Sequence, residues 1–530
     1  MNKILYSARL KSLANEKNIL RLLIIYGVAI SLVQFLANRS LWIDEAMVSL
    51  NIIHRSPAEL LKPLNYAQSA PPLFLIVEKL FSTLIPNSEY GLRLFPMLCF
   101  WMTLFLFVRI ARKQRNIYAV CIIALTLFVT SRSFLRYSNE VKQYMTDALV
   151  FMSILWIIVK DYKNEQMKYW SLGIAGFIAI YLSNVAPVIL ATSGIYLCYK
   201  LFFNCDNSAE RNRKLWSLSL VFLSWMVSAL IYYWFFVHGN PWKDTMMLWW
   251  GRENGFFIVN PFDEKFADSI TNVLSSMFSV YFLLYWPFIG IKLWSVICVL
   301  SVLYISGIIR IIKYKKTDLL ILYCLPLILH LTMSALHFYP FAHRLVLYTF
   351  PCTILVCSLG IQHIIEIINL SKYKWFPYLY VIPFLILAYT TTKLPIKYIE
   401  TKAGLKYIEN ATNKTENANV YMLHLHQFQC RYYIDTKHVS ERIKFINSSD
   451  FEVPSLMLSH LPHKWIKATD KSNVEIGWIY DCKGKNWFML SNNDPASSAK
   501  ILHIADSLGY KKLDEYDNSG VRAYLYDCGE

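Results

Sequence analysis

The sequence predicts a polytopic α-helical membrane protein with about 11 transmembrane helices, followed by a small C-terminal α/β domain. Three observations predict it. The chain has 530 residues, 55% hydrophobic and 16% aromatic, more apolar surface than a soluble domain can cover with polar groups. Apolar runs of roughly 18 or more residues recur through the first three-quarters, each long enough to cross a ~30 Å hydrocarbon core. After Lys393-Leu394-Pro395 the composition turns polar.

The expected spans lie near residues 20–38, 92–111, 117–135, 143–160, 169–184, 186–203, 215–237, 289–312, 318–337, 343–368 and 375–394. The N-terminal segment carries Lys3, Arg9, Lys11, Lys17 and Arg21 ahead of an apolar run too long for a signal peptide and without a small-residue cleavage site. It reads as a retained first span with its N-terminus inside. Parity then places Ala111–Arg115, Lys160–Lys168, Arg211–Lys214, Arg310–Lys316 and Ser371–Lys374 inside as well, and every one of these segments is basic. The formal net charge of +17 is thereby assigned to loops facing anionic headgroups, and a nucleic-acid partner is not expected. The expected location is the inner (plasma) membrane, with the C-terminal domain outside the cytoplasm.

The outer segments differ in kind. Within Trp42–Tyr90, Pro57–Leu64 and Pro71–Ile85 read as short amphipathic helices lying at the membrane surface, each with proline near its first position. His238–Tyr285 is rich in Trp and Phe, and Trp242, Trp249 and Trp250 fit an interfacial aromatic belt. The chain divides into a membrane domain, 1–395, and an outer domain, 396–530. In the latter, strands are expected at Ala418–Leu425, Glu475–Tyr480, Trp487–Leu490 and Val521–Tyr526. Helices are expected at Ile396–Asn410 and Ala499–Leu508, the second ended by Gly509. Of the cysteines in this domain, Cys430, Cys482 and Cys528, two can pair and leave one thiol, with the pairing open.

Chemistry is expected first at Asp44-Glu45, at the outer end of the first span. Repulsion and burial would raise the pKa of one member toward that of a general base. A solvated helix-end pair is the plain alternative. A second acidic group is Glu140, which shares a helix face with Tyr144 and Asp147 at i, i+4, i+7 spacing; an ion pair with Arg136 or Lys142 is its alternative. Arg93, Arg136, Lys142, Lys243, Arg252 and Arg344 form an outer set of cations suited to a lipid phosphate, or else to snorkelling toward headgroups. Tyr339 and His343 stand beside Arg344. No zinc-type spacing of Cys and His is present, although Asp and Glu clusters can recruit a divalent metal.

Three segments carry a family resemblance: Leu41-Trp42-Ile43-Asp44-Glu45-Ala46; Ala70-Pro71-Pro72-Leu73-Phe74; and Ser88-Glu89-Tyr90-Gly91-Leu92-Arg93-Leu94-Phe95-Pro96. Together they resemble the first outer loop of GT-C-fold glycosyltransferases. The likeness is to bacterial relatives of dolichyl-phosphate-mannose protein mannosyltransferases and of the lipid A aminoarabinose transferase. Tyr137–Met145 is similar to the second outer motif of that family, and Tyr339–Arg344 also looks like one of its segments. The resemblance covers roughly 20–395. It implies a polyprenyl-phosphate sugar donor, an extracytoplasmic acceptor (protein, lipid or glycan) and inversion at the anomeric carbon. It implies Asp44 as base and Glu140 as the second acidic residue, with Glu45 a neighbour tuning Asp44. Arg93, Lys142 and Arg344 would meet the phosphate, with Arg136, Tyr339 and His343 beside them. Members of the family commonly have His or Lys directly before the Pro-Pro pair, where this chain has Ser69-Ala70.

The rival class is a lipid-linked sugar transporter or flippase. It would place ionisable residues or broken helices near the midplane of two related halves, a pattern not seen in the sequence.

Overall fold

The computed structural model describes residues 2–529 except 87, 114–117, 204–206, 280–292, 370–387, 390, 392–399, 414–415, 423–426, 446–478, 481, 492–494 and 519. Ten of the expected spans contain a helix; the span near 375–394 lies almost wholly outside the described residues. In chain order the helices of the membrane part are α1 (Asn2–Leu36), α2 (Ile43–His54), α3 (Pro72–Leu84), α4 (Glu89–Lys113), α5 (Tyr118–Val129), α6 (Arg132–Tyr137) and α7 (Tyr144–Val159). They continue with α8 (Glu165–Leu182), α9 (Ala186–Phe203), α10 (Ser208–Tyr232), α11 (Lys243–Arg252), α12 (Phe266–Met277), α13 (Leu293–Lys313), α14 (Thr317–Ala335) and α15 (Phe350–Ile367). Among the described residues seven helices are long and apolar enough to cross a membrane, and Val120–Val129 and Tyr144–Val159 are shorter apolar helices. Leu22, Leu230 and Val299 are each at least 60% exposed on the outside of the bundle, which suits hydrocarbon and not water.

The bundle has two chemically distinct ends. At one end, ion pairs join Lys113 to Asp161, Lys214 to Glu165, Lys200 to Asp318 and Arg310 to Glu366. These tie together the basic segments that follow α4, α7, α9, α13 and α15. The opposite end holds the start of α4, where Glu89 meets Lys402 and His438 of the C-terminal region.

Two expectations for the outer segments change. Pro57–Leu64 forms a single 3-10 turn, Glu59–Leu61, instead of an amphipathic helix. Arg55 accounts for this: its guanidinium donates to the carbonyls of Glu59 and Pro63 and to Asn65 Oδ1, satisfying acceptors that a helix would have used. Pro71–Ile85 does form a helix, α3.

The C-terminal region contains α16 (Thr401–Ala411), β1 (Ala418–Met422), α17 (Gln427–Asp435), β2 (Ile443–Phe445), β3 (Lys485–Ser491), α18 (Pro495–Ser507), β4 (Lys511–Asn518) and β5 (Val521–Asp527). The strands form one sheet in the order β2-β1-β3-β5-β4, parallel from β2 to β3 and antiparallel from β3 to β4. Gly509 has φ +76° and ends α18 as expected, with the Tyr510 N–H donated back to the Ala505 carbonyl. Most of the expected strand Glu475–Tyr480 lies outside the described residues. Cys482 pairs with Cys528, and Cys430 is a buried free thiol. One face of the sheet shares an apolar core with α2 and α3, in which Leu41, Leu50 and Phe74 pack with Leu405, Phe428 and Trp487.

Helices α13 and α15 cross with their backbones nearly touching. A Cβ at Gly360 would lie 1.8 Å from the Leu303 carbonyl oxygen, and one at Gly307 would lie 2.0 Å from that of Val356. Gly360→Ala is therefore expected to destabilise the protein by about 1–3 kcal/mol, read as a lowered Tm in detergent. Gly251→Ala, where a Cβ meets nothing within 4 Å, is expected to leave Tm unchanged or slightly raised. Equal Tm values for the two variants would refute the close crossing.

Candidate active site

The site is built on the first turn of α2. Glu45, three residues after Trp42, accepts the Trp42 N–H at 2.9 Å and so caps the helix. Its carboxylate is fully buried and also accepts from Arg39 Nη1 (2.7 Å), Arg93 Nε (3.2 Å), Arg93 Nη2 (3.1 Å) and the Val141 N–H (3.1 Å). Burial would raise its pKa; the Arg39 and Arg93 charges and the two backbone donors overcome that and lower it. Glu45 thus pins four separate segments to one point: the end of α1, α2, α4 and the 138–143 loop. Arg93 completes the joint by donating to the Arg39 carbonyl at 2.7 Å.

Asp44 points elsewhere. It accepts from Arg344 Nη1 at 2.7 Å, and this pair keeps about a fifth of each side chain exposed, 20% for Asp44 and 22% for Arg344. The pair is within reach of a ligand, whereas Glu45 is not. Burial favours a raised pKa for Asp44, but Arg344, Lys142 and Arg136 together lower it. The expected upward shift toward a general base is therefore reversed in the resting protein, because converging cations outweigh burial and repulsion between the two carboxylates.

Arg344 is placed by the loop between α14 and α15. That loop is anchored by the Phe341 N–H donating to the Gly255 carbonyl (2.7 Å) and by His330 Nε2 donating to the Pro340 carbonyl (3.0 Å). The guanidinium lies 5.8 Å from the Tyr144 ring centroid and 5.5 Å from that of Trp250. His343 turns to Ser276, with Nδ1 3.0 Å from its Oγ. Burial, helped by the Arg344 charge, lowers the His343 pKa to about 4. Tyr339 packs edge-on against the His330 ring at 5.4 Å.

The 138–143 loop supplies the remaining groups. Glu140 is buried and faces Arg136 Nε at 3.3 Å and Arg39 Nη2 at 3.9 Å. Lys142 is buried, donates to Gln68 Oε1 at 2.7 Å and stands within electrostatic reach of Asp44. Burial lowers its pKa, and the Arg344 charge adds to that.

Asp44, Arg344, Lys142, Arg136 and Tyr144 are thus brought together, with Glu140 behind Arg136. Arg93 lies in the Glu45 joint rather than beside Asp44, because its guanidinium is consumed by Glu45 and two backbone carbonyls. Sequence reasoning did not single out Arg39 or Gln68; Arg39 stood one residue past the apolar run as an ordinary span-end cation. It also passed over Glu78, a fully buried residue on α3 with no hydrogen-bond partner for either carboxylate oxygen. Burial pushes the Glu78 pKa well up.

Among the described residues no group of three or more His, Cys, Asp or Glu side chains is close enough to hold a metal ion. Asp44, Glu45 and Glu140 already face arginines, whose charges oppose a second cation.

No family model matches the chain, and no curated protein matches it. Among solved structures, the apo form of ArnT from Cupriavidus metallidurans is 10% identical, with 94% of this chain and 97% of that one covered at a TM-score of 0.40. The same protein bound to undecaprenyl phosphate is 12% identical over 94% of this chain and 97% of that one, TM-score 0.39. The oligosaccharyltransferase of Archaeoglobus fulgidus, in complex with Zn and sulfate, is 12% identical over 96% of this chain and 73% of that one, TM-score 0.46. These likenesses concern the course of the chain; the chemistry follows from the site.

Glu45→Gln leaves Arg39 and Arg93 buried without their counter-charge and is expected to cost about 3–5 kcal/mol, seen as loss of folded protein in detergent. Asp44→Asn, at the exposed edge, is expected to fold normally; equal damage from both substitutions would refute the division of roles. His343 binds its proton more weakly folded than unfolded. Its contribution to stability is therefore full above about pH 6.5 and is lost as pH falls toward about 4. In His343→Gln this part of the decline in Tm is expected to disappear.

Proposed function

We propose that the chain is an integral membrane glycosyltransferase that moves a sugar from a polyprenyl-phosphate donor to an extracytoplasmic hydroxyl acceptor, with inversion. The single observation that carries this reading is the half-open Asp44–Arg344 pair set in an excess of positive charge. The site's cations are Arg39, Arg93, Arg136, Lys142 and Arg344, and its anions are Asp44, Glu45 and Glu140, so five minus three leaves a formal excess of +2. A glycosyl phosphodiester brings one negative charge and leaves as a phosphate monoester with nearly two. Cations that meet the phosphate therefore stabilise the departing group more than the bound donor, which is the condition for catalysis.

In this reading the donor phosphate competes with Asp44 for the Arg344 guanidinium. Once Arg344 is shared, the charge that most lowers the Asp44 pKa is partly withdrawn, and the carboxylate becomes a better proton acceptor when substrate is present. The acceptor hydroxyl oxygen then bonds to the anomeric carbon, the carbon–oxygen bond to phosphate breaks with its electron pair going to the polyprenyl phosphate, and the hydroxyl proton goes to Asp44. Glu140 assists by holding Arg136. Tyr144 and Trp250 fix the Arg344 plane, and Lys142 adds a point charge. Arg93 and Glu45 act through the position of α2.

The site end is proposed to face away from the cytoplasm, since the basic segments gather at the other end. A disulfide between Cys482 and Cys528 suits that side. Flippase activity is separated from transfer by assaying release of the sugar from the donor lipid, which a flippase leaves intact.

In vesicles supplied with undecaprenyl-phosphate-linked sugars and native envelope acceptors, Asp44→Asn is expected to lower transfer by about 100-fold or more. Arg344→Gln is expected to lower both transfer and donor affinity. Full transfer by Asp44→Asn would remove Asp44 as the proton acceptor.

A further inference from the structure

A second group of buried polar atoms lies at the first turn of α7, beside Tyr144. Gln143 precedes α7 and Asp147 follows it by one turn, with the Asp147 N–H donated to the Gln143 carbonyl at 2.8 Å. Both side chains are at least 95% buried, and neither Gln143 Oε1 nor Asp147 Oδ1 has a hydrogen-bond partner. Across from them, at the end of α8, Asp147 stands beside Ser183 and the backbone of Asn184. The Ser183 hydroxyl is also buried and is directed at the Asp147 carboxylate. Asn184 Oδ1 is already taken by the Tyr232 hydroxyl at 3.0 Å.

This group is continuous with the phosphate cations. Tyr339 stands within electrostatic reach of both Asp147 and Arg344. Tyr144, whose ring the Arg344 guanidinium faces, precedes Asp147 by three residues, about 4.5 Å along the helix axis. That offset is about the width of one sugar ring.

Buried acceptors without partners are few in folded proteins, and each calls for a donor from outside the chain. The atoms left open here are a carboxylate oxygen and an amide oxygen, beside a serine hydroxyl and a tyrosine. A hydroxyl-rich ring offers the donors these acceptors lack, together with an apolar face for Tyr339. A second phosphate does not fit, since Asp147 would repel it.

We infer that Gln143, Asp147, Ser183 and Tyr339 form the subsite that grips the hydroxyls of the donor sugar and so select which sugar is used. The inference rests on the transferase reading above. It adds specificity-determining residues that the phosphate site does not supply.

The test measures binding to the full-length protein in nanodiscs, using undecaprenyl phosphate alone and a panel of undecaprenyl-phosphate-linked hexoses and pentoses. The native protein is expected to bind at least one glycosylated lipid tighter than the bare lipid. Asp147→Asn and Ser183→Ala are expected to lose about tenfold of affinity for that glycosylated lipid, since each removes or weakens hydrogen bonds to a hydroxyl. Their affinity for undecaprenyl phosphate alone is expected to stay within about twofold, which also reports that they are folded. Arg344→Gln is expected to weaken both ligands. Retained discrimination in both Asp147→Asn and Ser183→Ala, or equal weakening of both ligands by them, overturns the subsite and leaves the phosphate reading intact. Absence of any binding of undecaprenyl phosphate to the native protein overturns the phosphate reading and the subsite with it.

Discussion

The buried Glu45 carboxylate is the interaction on which the rest of the site depends. It accepts from two guanidiniums and two backbone N–H groups drawn from segments as distant in sequence as Arg39 and Val141. A carboxylate so deep in the protein is tolerable only when its lone pairs are filled, and filling them fixes four chain segments relative to one another. Successive residues on a helix point about 100° apart, so the neighbour of such a residue cannot share its surroundings. Asp44 is turned away from the arginine joint and toward Arg344. Adjacent carboxylates thereby acquire different surroundings: one is closed and tied to two arginines, the other partly open and paired with Arg344.

The Val141 N–H carries this order into the 138–143 loop. The residue between Glu140 and Lys142 is tied to Glu45, so both flanking side chains are placed by the same carboxylate that places α2. Glu140 then reaches Arg136 and Arg39, while Lys142 reaches Gln68 in the segment ahead of α3. Glu140 and Lys142 are buried and compensated within the cluster, while Arg136 keeps about as much of its side chain exposed as Asp44 and Arg344. These three form the accessible edge of the cluster. Under the proposed function, a donor phosphate would meet an electrostatic surface already assembled, with little reorganisation on binding.

Much of this was legible in the sequence. Apolar run length gave the spans, because a bilayer imposes a nearly fixed length on any helix that crosses it. The Asp44, Glu140, Lys142 and Arg344 segments were legible because ionisable residues at span ends are costly unless used. The direction of the Asp44 pKa was not legible. It depends on how many cations converge from segments as far apart as Arg136 and Arg344, and a linear reading sees only the adjacent Glu45. Arg39 and Gln68 escaped for the same reason, since their partners are 6 and 74 residues away. Strand β4 escaped because it is an exposed edge strand, whose polar sequence lacks the alternation that marks a half-buried one.

The C-terminal region bears on the same joint. The backbone of Leu41, just before α2, donates to the Tyr433 hydroxyl at 2.7 Å, and Ser40 meets Glu400. On the next segment, Glu89 holds Lys402 at 2.7 Å and His438 at 3.2 Å. The helix bearing Asp44 is therefore clamped from both sides, by the Glu45 joint in the membrane part and by α16 and α17 of the C-terminal region. Without that second clamp the first turn of α2 would face water on its outer side. The burial that makes Arg344 and Lys142 effective toward Asp44 would then be weakened, since charge interactions fade as the local dielectric rises. The sheet and its helices thus bear on the Asp44–Arg344 pair at a distance, by covering the helix that carries Asp44.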